Sequence, residues 1–166
     1  MNTSRLFAAA LIVLALAACG GHGVKKQQPT AAETHWRSGL VTWGASMTQA
    51  VNGISVLFSQ PSSVRAIEGG ERRTAVKLGG FEDTLSGCGA ALRRLGDAPA
   101  AFSAARRDAL RACAALQQGA ALIRAGVRQI QHGLGFDLLS RSSDALIAGQ
   151  DGVRRAKLDL RSAAPS

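Results

Sequence analysis

The sequence predicts an all-α protein: an up-down-up-down four-helix bundle whose central hairpin is tied by a disulfide. Three observations predict it. Apolar residues recur in alternating steps of three and four along four separate stretches, the rhythm of helices packed on one another. Breaker residues separate those stretches, at Pro61, at 96–99 and at 133–135. No stretch shows the alternation of period two that would compete as a half-buried strand.

The first helix opens at Thr30-Ala31-Ala32-Glu33, after Pro29. Thr30 as N-cap and Glu33 at the third helical position form a capping box. The stripe that follows is Trp36, Leu40, Trp43, Met47, Ala50, Ile54 and Leu57. Pro61 ends this helix, because Gln60 before it is driven toward extended geometry. Ser62 or Ser63 is the expected cap of the second helix. Its stripe is Val64, Ile67, Glu71, Thr74, Leu78, Phe81, Leu85, Cys88, Leu92 and Leu95. Gly69-Gly70 and Gly79-Gly80 weaken this helix by roughly 1 kcal/mol per Gly relative to Ala. A break or kink is expected at 69–70.

The clearest turn is Gly96-Asp97-Ala98-Pro99. The third helix carries Ala109, Cys113, Leu116, Ala120, Ile123, Val127, Ile130 and Leu134; Gly133 and Gly135 end it. Asp137 is the expected cap of the fourth, whose stripe is Leu139, Ser142, Leu146, Gly149, Val153, Ala156 and Leu160. The tail after Arg161 is expected to fray. Short connections make successive helices antiparallel neighbours. Ala and Gly on and beside the seams should bring the helices closer than Leu would.

The cysteines set the register of the central hairpin. With a turn over 96–98 alone, Cys88 would face residue 106. Cys113 would then lie about 10 Å farther along, at 1.5 Å per residue, beyond the roughly 7 Å that a disulfide allows between Cα atoms. A longer connection through Phe102, with Ser103 capping the third helix, centres the turn near residue 100 and brings the two together. The predicted bond stabilises by roughly 3 kcal/mol in the chain-entropy model. The spacing fits no metal motif, and Cys-x-x-Cys is absent.

The N-terminal stretch gives an address. Residues 1–5 carry one positive charge, on Arg5, and residues 6–18 contain no charged or strongly polar side chain. A basic start, a short apolar run and small residues form an export signal. Its 13 apolar-run residues fall short of the about 20 that a spanning helix needs. Leu16-Ala17-Ala18-Cys19 resembles the lipobox of bacterial lipoproteins. The resemblance implies that residues 1–18 are cleaved and that the Cys19 thiol carries a diacylglyceryl group, with fatty acyl chains such as palmitate. Each buried methylene contributes roughly 0.8 kcal/mol, so two or three chains hold the protein on a bilayer. Residues 19–29 then read as the lipidated Cys and a glycine-rich tether, and 30–162 as a domain outside the cytoplasm, in the periplasm or at the surface of the bacterial cell envelope. With Cys19 used by the lipid, Cys88 and Cys113 are an even pair in an oxidising compartment.

Without residues 1–18, the chain keeps 148 of 166 residues and 19 basic against 11 acidic side chains, a net +8. Such a chain at a membrane can meet headgroups, anionic envelope polymers or an acidic envelope protein. Nucleic acid is not expected, since Tyr is absent and stacking side chains are few. Arg93-Arg94 and Arg106-Arg107 should cluster near the central turn. Guanidinium groups suit phosphate and carboxylate, which makes these four the expected contact surface; the plain alternative is a solvated face.

Little in the chain points to chemistry. There is no phosphate loop, His-Glu-x-x-His or Gly-x-Ser-x-Gly, and neither metal, cofactor nor enzymatic activity is expected. His35 and His132 fall at opposite ends of the expected bundle. Glu71, with Thr74, is the one charged point on a stripe, and Glu71 is expected to reach solvent because Glu is rarely buried. Trp36, Trp43 and Met47 are expected as core. The alternative is that they line a pocket for haem or a lipid between the helices. The expected function is a lipid-anchored, non-enzymatic interaction or structural module. The alternative is a carrier of a small apolar ligand.

Overall fold

A computed structural model describes residues 28–130, 132 and 134–163. Its elements are α1 (Ala31–Ser59), α2 (Pro61–Glu68), α3 (Arg72–Ser86), α4 (Cys88–Arg94), α5 (Ser103–Ile130) and α6 (Phe136–Ser162), with a 3-10 turn over Ala100–Phe102. No strand occurs among the described residues.

The start of α1 follows its sequence signal. The Glu33 N–H donates to Thr30 Oγ1 at 3.2 Å, and the Thr30 N–H donates to Glu33 Oε2 at 2.7 Å. All seven residues of the predicted α1 stripe are buried. Gln60 is extended, at φ −98° and ψ 115°, as a residue before proline should be. It serves as N-cap of α2, with Pro61 in the first turn, so neither Ser62 nor Ser63 is the cap. Proline suits this place because its missing N–H would find no partner there and its φ is already helical.

The stretch expected to form one second helix is three helices. The first interruption is the expected one: Gly69 ends α2 and Gly70 takes φ 69°, a left-handed conformation that glycine adopts without strain. The second interruption, at Gly87, was not expected. Its N–H donates to Asp83 O at 2.8 Å, and α4 begins at the next residue. Gly79 and Gly80, by contrast, lie inside an unbroken α3. Leu78 and Leu85, buried on either side, hold that turn against the core.

Side-chain contacts tie α3 and α4 to α1, α3 to α5, and α6 to both α1 and α5. Phe81 and Leu95 pack on the bare backbone of Gly53 and Gly39 of α1. Between α3 and α5, Arg124 Nε lies 3.0 Å from Glu82 Oε2, and Gln117 Nε2 donates to Ser86 O at 2.9 Å. Between α6 and α1, Gln150 Nε2 donates to Asn52 Oδ1 at 3.3 Å. The α5–α6 pair is the closest: Leu116 faces Gly149, Gly119 faces Leu146 and Gly126 faces Leu139. A Cβ on Gly152 would stand 2.8 Å from that of Ala112, so small residues do set the approach of the helices.

Cys88 and Cys113 form a disulfide, with Cα atoms 5.7 Å apart. The connection that permits it runs through Phe102, as the register argument requires. Ser103 continues the 3-10 turn into α5 and is not an N-cap; the Phe102 N–H instead donates to Pro99 O at 2.8 Å. Two further boundaries differ from expectation. Leu134 is 63% exposed, because α5 ends at Ile130 before the third stripe is complete. Gly135, at φ 96°, is the N-cap of α6, which moves Asp137 into the first turn. Its carboxylate still meets the positive end of the helix dipole there.

Candidate functional site

The end of the assembly where α1 begins gathers most of the residues that the sequence singles out. Phe102 is its keystone. Its ring stacks on Trp36, centroids 5.5 Å apart and planes 10° from parallel. The Arg37 guanidinium lies 5.0 Å from the same ring and donates from Nη1 to Leu160 O at 3.1 Å. One aromatic pair and one cation thus tie the first turns of α1, the 95–102 connection and the last turns of α6. Phe102 is the only aromatic residue between Phe81 and Phe136, and a lone Phe in a connecting segment is a sequence signal for such an anchor.

Arg93 and Arg94 end α4, and Arg106 and Arg107 lie in the first turns of α5. All four are exposed, at the two sides of the turn that Gly96 makes with φ 74°. Arg106 Nη1 reaches Asp97 Oδ1 at 3.4 Å, but that carboxylate is 98% exposed and holds little of the charge. Arg161, at the end of α6, is also exposed. These five arginines thus stand exposed at one tip of the structure, the end where α1 begins. Cys19, the expected lipidation site, lies outside the described residues.

Trp36, Trp43 and Met47 do not act as one set. Trp36 is closed off by Phe102, whereas Trp43 and Met47 line a cleft of about 380 Å³ between α1 and α4. Ala91 and Leu95 form its other wall, and His35 and Arg94 are also among its lining. Trp43 is 5% exposed, and its Nε1–H has no acceptor among the described residues. A larger open groove, about 840 Å³, runs farther along α1 and α3 past Val56 and Phe81, with Lys77 and Lys157 among its lining.

The interior polar point of the second stripe is not where the sequence marks it. Glu71 is exposed, caps α3 and accepts from Thr74 Oγ1 at 3.1 Å, so it reaches solvent as expected. The buried acid of this stretch is Glu82, whose side chain is 8% exposed against Arg124. Burial pushes its carboxyl above the usual glutamate value, and the Arg124 hydrogen bond and charge pull it only partly back. Glu82 escaped the sequence reading because it lies one residue off the stripe, on the side that faces α5. Its arginine is 42 residues away in sequence, beyond any local pattern. Asp108 is buried beside Arg111, 2.6 Å away on the same helix. No group of three or more His, Cys, Asp or Glu side chains able to hold a metal occurs among the described residues.

No described helix is long and apolar enough to cross a membrane. Comparison with protein-family models, curated proteins and solved structures found no match to this chain.

Proposed function

We propose that this protein is a lipid-anchored, extracytoplasmic lipoprotein of the bacterial cell envelope that works as a non-enzymatic interaction or structural module. Leu16-Ala17-Ala18-Cys19 after a short apolar run carries the reading. The Cys88–Cys113 bond supports it, since disulfides persist where the compartment oxidises. In this reading the helices form one up-down-up-down four-helix bundle, with α2, α3 and α4 together in the second place. The exposed arginines 93, 94, 106 and 107 present the contact surface to an anionic or acidic envelope partner.

Feeding the producing bacterium an alkyne-tagged fatty acid tests the anchor. The protein should take up the tag and remain with the membrane fraction, and Cys19→Ser should abolish both. A wild-type chain that stays untagged overturns the reading.

The cleft favours a second reading, a carrier of a small amphipathic ligand. The observation is that Trp43 and Met47 line this cleft together with Arg94, apolar side chains and one cation that suit a ligand with an apolar body and an anionic head. Titration with a long-chain fatty acid should then shift tryptophan emission in the wild type and less in Arg94→Gln. Emission that ignores the titrant removes the carrier.

A further inference from the structure

The basic tip and the attachment point of the proposed anchor are the same end of the molecule. Thr30, which caps α1, follows the tether, and Trp36 on the first turns of α1 stacks on Phe102 in the connection between the arginine pairs. Cys19 and Gln28 are separated by nine peptide steps, which span about 32 Å at most even when fully extended. The 29-residue α1 alone is about 43 Å long. An anchor at Cys19 therefore keeps the Thr30 end near the bilayer, and the tether is shorter than the domain it holds.

Charge is distributed to match. The Thr30 end exposes Arg93, Arg94, Arg106, Arg107 and Arg161, with Asp97 the one fully exposed acid among them. The opposite end mixes its charges: Glu68 and Glu71 stand with Arg65, Arg72 and Arg73 around the 69–70 break, and Asp137 and Asp144 stand with Arg128 and Arg141, so exposed acids nearly balance the bases there. A guanidinium is weakly hydrated and forms paired hydrogen bonds to phosphate oxygens. Five of them on a tip held at a membrane face the one anionic surface always within reach.

We infer that this arginine tip binds anionic phospholipid headgroups of the membrane that carries the anchor, standing the domain upright with its 69–70 end outward. The inference rests on the anchored reading for the orientation but not for the affinity, and it names the partner of the four-arginine surface. It also removes that surface from the faces open to a soluble partner.

The test uses the mature protein, after mass measurement has shown whether Cys19 carries lipid. The lipidated protein is placed in vesicles of phosphatidylcholine alone or mixed with phosphatidylglycerol, and an arginine-selective dicarbonyl is followed residue by residue by mass spectrometry. Arg93, Arg94, Arg106 and Arg107 should be modified several-fold more slowly on the anionic vesicles, and high salt should restore their rates. Arg72, Arg73 and Arg141 serve as the internal control and should not change. Equal protection at both ends, or none at either, overturns the inference. So does protection of the tip by soluble polyglutamate with none by vesicles, which would assign the surface to an acidic macromolecule.

If Cys19 proves unlipidated, the anchored reading fails, and sedimentation of the same chain with anionic vesicles decides the tip alone. Each Arg→Gln change there should lower the bound fraction's partition coefficient roughly fivefold. A coefficient unmoved by Arg93→Gln with Arg107→Gln sinks the lipid-binding tip as well.

Discussion

The α5–α6 pair and the α2–α4 stretch are built from similar residues and behave differently. Both are rich in Gly and Ala, and both lie against a long neighbour. Yet α5 and α6 run unbroken for 28 and 27 residues, while the stretch from Pro61 to Arg94 is interrupted twice. The difference lies in where each glycine falls. In α5 and α6, Gly119, Gly126, Gly149 and Gly152 face the partner helix, and each receives a side chain that a Cβ would displace. Their conformational cost is offset by contact. In the other stretch Gly69, Gly70 and Gly87 are exposed, and nothing opposes their freedom. Glycine on a seam tightens a helix pair, and glycine facing solvent permits a break, as at 69–70 and 87, unless buried neighbours hold the turn, as Leu78 and Leu85 do around Gly79 and Gly80.

If α2–α4 is the loosely held part, the disulfide that ties α4 to α5 should matter most. Replacing both Cys88 and Cys113 with Ala closes no 25-residue loop and should cost about 3 kcal/mol. Urea unfolding of the variant checks it, and wild type treated with reductant should converge on the same midpoint. Amide exchange should rise in α4 and α3 first and leave α5–α6 protected; uniform loss across the molecule would erase the distinction between the two regions.

The second tie is the Glu82–Arg124 pair. Arg124→Ala leaves a buried carboxylate without its partner and should destabilise by about 2 kcal/mol at neutral pH. The sign of the pH dependence is fixed by the direction of the shift. Burial raises the folded-state value of Glu82 above 4.5, so the folded chain holds the proton more tightly than the unfolded chain. The stability due to this group is complete below 4.5 and is lost as pH rises through the raised value. Removing Arg124 should steepen that loss. Glu82→Gln should flatten it, because an amide does not titrate, and should cost little, because Arg124 is 46% exposed and can return to water. Identical pH profiles for the two variants would show that the pair is not coupled to folding.

How much of this was legible in the sequence follows from the range of each interaction. The capping box at Thr30 and the α1 stripe are local patterns and could be read directly. The Cys88–Cys113 register needed one distant fact, and antiparallel geometry supplied it. The arginine tip was legible as a cluster near a turn, but not as the end that shares Trp36 and Arg37, because that depends on the return of α6 to Leu160. Helix boundaries failed where two signals competed: Pro61 against Ser62 and Ser63, the 3-10 turn against Ser103, and Gly135 against Asp137. In each, backbone geometry at the first turn prevailed over a side-chain cap. Gly87 and Glu82 were not legible, since one is a break without a second glycine and the other is paired across helices.

The tight pair can be probed from within. Gly152→Ala places a methyl 2.8 Å from the Cβ and 3.0 Å from the Cα of Ala112. A main chain cannot step aside as a flexible side chain can. Overpacking of about 1–3 kcal/mol should exceed the roughly 1 kcal/mol that Ala gains over Gly in a helix. A net loss near 1 kcal/mol is expected, read as a lower urea midpoint with an unchanged slope.

The smallest effect has the opposite sign and isolates the argument. Gly79 and Gly80 are helical residues of α3, and a Cβ built on either meets nothing within 4 Å. Neither has a positive φ, so Ala can take the same backbone without strain. The substitution then acts almost wholly by restricting the unfolded chain, and each of Gly79→Ala and Gly80→Ala should stabilise by less than about 1 kcal/mol. The double variant should approach the sum, because the two side chains would point to different parts of open space. It should also lower amide exchange across α3 without changing α5 or α6. The same chemical change at Gly152 and at Gly79 thus predicts a loss in one region and a gain in the other. A loss at both would mean that α3 is held against a surface this structure leaves open, and the contrast between seam and solvent glycines would have to be redrawn around whatever covers it.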